Sequence, residues 1–114
     1  MSIQVPTVLL DGTVLALLDE QDLYGYAITK QVQQYLEVSE STMYPVLRRL
    51  QKNDYLETYD EPFEGRNRRY YQITATGKEH LAEIKTDWQN FSGAIDELFT
   101  KVPLKNESEG KNDE

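Results

Sequence analysis

Residues 39–74 read SESTMYPVLRRLQKNDYLETYDEPFEGRNRRYYQIT, and this stretch decides the fold. Ser39 stands before Glu40, Ser41 and Thr42, the make-up of a helix N-cap, and the helix it opens is predicted to run to about Asn53. Met43, Val46, Leu47 and Leu50 recur at three- and four-residue steps, which puts them on the face that a core claims. Ser41, Tyr44, Arg48 and Lys52 lie on the face left over. Pro45 removes one helical hydrogen bond, at roughly 3 kcal/mol in an ordinary helix interior, so an irregular first turn is expected. Residues 55–60 then alternate as a strand does, residues 61–67 carry Pro62 and Gly65 as turn formers, and residues 68–74 alternate again. The result is a hairpin with a long basic tip.

Two helices precede this stretch. From Pro6 to about Asp19 the run PTVLLDGTVLALLD is apolar on nearly every side and needs cover on more than one face. Pro6 suits the first turn, and the polar residues 20–22 end the helix. Asp22 is placed as the cap of a second helix, whose stripe is Tyr24, Ala27, Ile28, Val32, Tyr35 and Leu36. Gly25 in its first turn is a poor helix former and is read as a close approach of another backbone. After the hairpin, Thr74 caps a fourth helix with a seam of Leu81, Ile84, Trp88, Phe91, Ile95 and Leu98. Residues 102–114 hold a helix-stopping proline and little that is apolar, and are expected to be a disordered tail. The expected chain is mainly α with a small β-hairpin: a winged helix-turn-helix DNA-binding domain over 1–73, a C-terminal dimerisation helix over 74–101, then the tail.

Composition narrows the function. At 114 residues and 39% hydrophobic content, the chain supports one domain with an appended helix. It has no cysteine and a single histidine, His80, so neither a disulfide framework nor a metal site or cofactor is expected. No phosphate-cradling glycine loop, nucleophile elbow or paired-carboxylate pattern points to an enzyme. The opening MSIQVPTVLLDG lacks a basic leader region, and no apolar run reaches the roughly 18 residues of a membrane span, which points to a cytoplasmic protein without a membrane partner.

The net charge of -8 opposes nucleic-acid binding at first sight, but all five arginines fall within residues 48–69 while acidic residues crowd the flanks. A basic face on an acidic body would pair the exposed side of the third helix with Arg66, Asn67 and Arg68 at the hairpin tip, two elements that straddle one groove of double-stranded DNA. The competing reading pairs the arginines with Glu57, Asp60, Glu61 and Glu64, and leaves a winged-helix protein-protein interaction module that does not bind DNA. Arg69 alternates with Tyr70 and Tyr71, so it turns either to an acidic side chain of the body or to phosphate.

The seam on the fourth helix spans about two and a half heptads, short of the three to four that sustain a coiled coil alone. The first helix offers a surplus apolar face. Packing both against a second copy gives a homodimer interface of Leu10, Val14, Leu81, Ile84, Trp88, Phe91, Ile95 and Leu98, whereas one copy alone would leave a large apolar patch in water. Trp88, at the centre of the seam, has two readings: core packing, or one of two symmetry-related rings that stack on a small flat aromatic effector.

LYGYAI at 23–28, VSESTMYPVLRRLQKNDYL at 38–56 and GRNRRYYQITATGKEHL at 65–81 resemble the PadR family of bacterial transcriptional regulators, in particular its short branch that includes LmrR-type multidrug-responsive repressors. The resemblance covers roughly residues 7–99. It implies a homodimeric repressor on a palindromic operator, with the third helix in the major groove and the wing near the backbone or minor groove. By motif position Ser41, Thr42, Tyr44 and Arg48 would face DNA, with Arg66, Asn67 and Arg68 at the wing. The family tolerates a proline after the tyrosine of this helix, which accounts for Pro45. Trp88 follows Gly77 at the spacing at which the multidrug branch places its drug-stacking tryptophan, so Trp88, Phe91 and Ser92 become the implied ligand site. Ser92 stands where that branch has an acidic residue, bulky Phe91 narrows the cleft, and Asp87 and Asp96 are the carboxylates that could replace the charge.

Overall fold

Pro6 adopts an extended conformation and opens α1, Thr7–Glu20. The computed structural model describes residues 3–108, with side chains to residue 101. The chain divides into two units between Ile84 and Lys85. In the first, α1 is followed by β1 (Leu23–Tyr24), α2 (Gly25–Gln33), α3 (Glu40–Lys52), β2 (Leu56–Phe63), β3 (Arg66–Ile73) and the start of α4 (Ala75–Ser108). The core gathers Leu10, Val14, Leu15 and Leu18 of α1, Ile28 and Val32 of α2, Met43, Val46, Leu47 and Leu50 of α3, Leu56 of β2, and Leu81 and Ile84 of α4. Such burial, at about 25 cal/mol per Å² of apolar surface, is the main force that holds three short helices and a small sheet together.

Helix α3 follows the pattern of its sequence. Ser39 Oγ accepts from the Thr42 amide at 3.2 Å, and the four stripe residues are buried. The α-helix runs unbroken through Pro45, so the expected irregularity of the first turn is absent. Because Pro45 has no N–H, the Ser41 carbonyl loses its helical donor. Asp54 ends the helix in the left-handed region at φ 66, while the Tyr55 amide donates back to the Leu50 carbonyl at 2.9 Å.

Three further expectations, on the wing, Asp22 and Gly25, are corrected. The wing is a pair of eight-residue strands joined by Glu64 and Gly65 alone, both at positive φ (51 and 78), instead of a hairpin with a long tip. Two successive left-handed residues make the primed turn that matches strand twist. Pro62 lies inside β2 opposite Asn67, which is tolerated because β2 is an edge of the sheet order β1-β3-β2. Second, Asp22 does not cap α2. Tyr24 holds the cap position without a side-chain bond, and Asp22 instead accepts from the Tyr59 hydroxyl at 2.6 Å and the Gln72 amide at 3.3 Å. Third, Gly25 has room for a methyl group, with Tyr71 and Leu47 at ordinary distance. The close approach is at Gly77, where a Cβ would overlap the Tyr55 carbonyl oxygen and come within 2.8 Å of Ile73 Cγ1.

Thr74 caps α4, its Oγ1 accepting from the Gly77 amide at 2.9 Å. The disordered tail expected from Val102 is corrected in part: the helical backbone of α4 continues through Val102 to Ser108, and residues 109–114 of that expected tail lie outside the described residues.

Candidate nucleic-acid interface

Opposite the buried stripe of α3, Ser41, Thr42, Tyr44, Arg48 and Lys52 are all exposed. Ser41 Oγ and Thr42 Oγ1 each lie 3.0 Å from Ser39 Oγ, so the first turn carries three linked hydroxyls. Thr42 is thereby engaged in the cap. Tyr44, Arg48 and Lys52 project one turn apart down the same side. The two neighbouring arginines part company: Arg48 is exposed, whereas Arg49 Nη2 donates to Asp11 Oδ1 on α1 and ties the two helices together.

On the wing, register sorts the charges. Arg69 stands opposite Asp60 and pairs with it at 3.5 Å, an exposed link of small worth. Arg66 and Asn67 are exposed. Arg68 is half-buried, its Cζ 4.0 Å from the centroid of the Tyr24 ring and 3.6 Å from that of Phe63. Among the described residues, Arg48, Arg66 and Arg68 take part in no ion pair, so the sheet's carboxylates do not absorb them.

The outer face of the sheet is aromatic. Tyr70 of β3 meets Tyr24 edge-on at 5.7 Å and Tyr59 stacked at 5.6 Å. The Tyr59 phenol is pushed up to about 12, chiefly by its hydrogen bond to Asp22, then by desolvation and the Asp22 charge. Tyr24, Tyr59 and Phe63 escape a reading in which β2 stops before Pro62 and β1 is absent. Alternation carried through Pro62 would have placed Tyr59, Glu61 and Phe63 on one face with Arg68.

The predicted interface residues fall into two groups. Leu10, Val14, Leu81 and Ile84 are buried inside one copy of the first unit, where they cover its own core. In the second unit Trp88 is 46% exposed, Phe91 62% and Leu98 56%, with Phe99, outside the predicted seam, at 71%. Ile95 and Ser92 are half-buried, and the Trp88 and Phe91 rings lie 6.3 Å apart. A separate apolar groove of about 270 Å³ lies between α1 and α2, lined by Thr13, Ala16, Leu17, Val32, Tyr35 and Leu36. Among the described residues no group of three or more His, Cys, Asp and Glu side chains could hold a metal, and no helix is long and apolar enough to cross a membrane.

Residues 14–83, which hold α2, α3 and the whole wing, match the model of the Transcriptional regulator PadR-like family. The chain belongs to the PadR-like family. Its members are transcriptional regulators that bind DNA, not enzymes. This PadR-family chain is 35% identical to an uncharacterised protein of Lysinibacillus sphaericus, the match covering 76% of this chain and 84% of that protein. A crystal structure from Streptococcus mutans superposes with a TM-score of 0.82 at 34% identity, covering 88% of this chain and 94% of the other. A PadR family transcription regulator from Clostridium difficile gives 0.73 at 30% (79% and 97% covered), and a PadR-like transcriptional regulator from Bacillus cereus 0.73 at 32% (80% and 91%).

Proposed function

We propose that this PadR-family chain is a cytoplasmic homodimeric repressor of the short, LmrR-type multidrug-responsive branch, which binds a palindromic operator in double-stranded DNA. Helix α3 enters the major groove, where Ser41, Tyr44 and Arg48 meet base edges and phosphates and Lys52 adds a phosphate contact. Arg66, Asn67 and Arg68 engage the adjacent backbone from the wing. The observation that carries this reading is the division of α3 into four buried apolar residues and an exposed run of Ser41, Tyr44, Arg48 and Lys52. That an acidic protein carries arginines without an ion pair among the described residues on two such elements supports their use for an anion.

The second copy covers Trp88, Phe91, Ile95 and Leu98, because four large apolar side chains on one helix are costly to leave in water. A planar aromatic effector stacks on Trp88 between the two copies and releases the operator. The test is a mobility shift with a duplex from upstream of the chain's own gene, combined with sedimentation. With six to ten phosphate contacts, affinity falls by roughly a thousandfold or more between about 50 and 200 mM salt. Absence of a shift at the lower salt favours the protein-interaction module, and a folded single copy at micromolar concentration removes the dimer.

A further inference from the structure

Arg68 lies on the central strand of the sheet, and the register accounts for its two ring contacts. Phe63 of β2 pairs with Arg66, and Tyr24 of β1 pairs with Tyr70, so each ring is a diagonal neighbour of Arg68 from opposite flanks of β3. The residue directly across is Glu61, yet Arg68 forms no ion pair among the described residues. The guanidinium lies against two aromatic faces instead, its Cζ 4.0 and 3.6 Å from the ring centroids.

Stacking uses the flat face of a guanidinium and leaves its in-plane N–H donors free. A long side chain held this way loses little further freedom when it meets a phosphate, whereas a solvated arginine must be ordered on binding. We infer that Tyr24 and Phe63 are positioning residues, which hold Arg68 on the outer face of the wing in a form ready for a DNA phosphate and keep it from Glu61. This rests on the DNA-binding reading. It adds that the wing's affinity depends on two side chains that need not touch DNA.

The test uses the full chain and a duplex selected by the wild type from random-sequence DNA. Phe63→Leu lowers affinity by about threefold to tenfold, the range expected when one long side chain loses its preorganisation. Phe63→Tyr restores binding. In an Arg68→Ala background, which itself lowers the salt slope by about one per subunit, Phe63→Leu has no further effect. Glu61→Gln raises affinity more in the Phe63→Leu protein than in the wild type, since only there does the freed guanidinium fall to the carboxylate. Thermal melts by circular dichroism check the fold, and if Phe63→Leu melts early, Tyr24→Leu supplies the same cycle from the other ring. Additive losses in the Arg68→Ala background, or an equal gain from Glu61→Gln in both proteins, overturn the positioning role alone. A wild type that selects no duplex overturns the DNA-binding reading and this role with it.

Discussion

Arg48 and Arg49 are adjacent in sequence, and alanine at each should separate DNA recognition from folding. Arg48 is exposed on α3 and takes part in no ion pair among the described residues, so on the proposed DNA-binding reading Arg48→Ala removes a contact made only when DNA is bound. A hydrogen bond to a charged group contributes about 1.5–3 kcal/mol, which is about tenfold or more in affinity per subunit. Each lost phosphate contact also flattens the slope of log affinity against log salt by about 0.9. Between about 50 and 200 mM salt that slope change is worth about 3.5-fold per contact, or about twelvefold for a dimer that loses two. The defect is therefore largest at low salt and shrinks as salt rises, while the melting temperature stays put. Arg49→Ala does the reverse. Its side chain is 38% exposed and its partner Asp11 only 13%, so the substitution strands a mostly buried carboxylate between α1 and α3. The cost is about 1.5–3 kcal/mol, and at about 4–8 °C per kcal/mol for a domain of this size the melting temperature falls by at least about 6 °C. Fluorescence anisotropy with labelled operator at several salt concentrations, beside calorimetric melts, measures both arms. An Arg48→Ala protein with wild-type affinity and slope, or an Arg49→Ala protein that melts normally and binds poorly, refutes the assignment.

Two further outcomes are expected. Gly77→Ala forces a Cβ into the Tyr55 carbonyl, which lies next to the Thr74 cap of α4, and should destabilise by about 1–3 kcal/mol in chemical denaturation; a wild-type midpoint counts against that packing. Tyr59 is pushed up to about 12 from an ordinary value of 10.0, so the stabilisation it lends is complete below pH 10 and disappears as pH rises through 12. A wild type minus Tyr59→Phe difference titration at the tyrosinate band should therefore show one phenol ionising near pH 12, and ionisation at the ordinary value would dissolve the Tyr59–Asp22 bond.

What the sequence revealed was local in origin. Ser39, the four-residue stripe of α3 and the Thr74 cap depend on neighbours within one helical turn, and each lies where spacing put it. Leu23 and Tyr24 were illegible as a strand because two residues carry no alternation, and only pairing with Tyr70 and Tyr71, far along the chain, makes them one. The same distance effect misplaced Asp22: its carboxylate suits a helix cap, but Tyr59 and Gln72 arrive from the sheet and take it. Pro62 has the look of a turn former in the sequence because a proline's place in a strand depends on strand order, which periodicity does not contain. On α1, composition showed a helix apolar all round but could not say how much of it the chain itself would cover. Leu10 and Val14 lie wholly in that covered part.

The short strand β1 has a mechanical consequence. It leads directly into α2 and is bonded to β3, so the entry to the helix pair and the wing are pinned to one central ribbon. The start of α2 and the wing are thereby yoked together, without a pivot between them at this joint. Bending the wing alone, away from the start of α2, would first have to unfasten Leu23 and Tyr24 from Tyr71 and Tyr70.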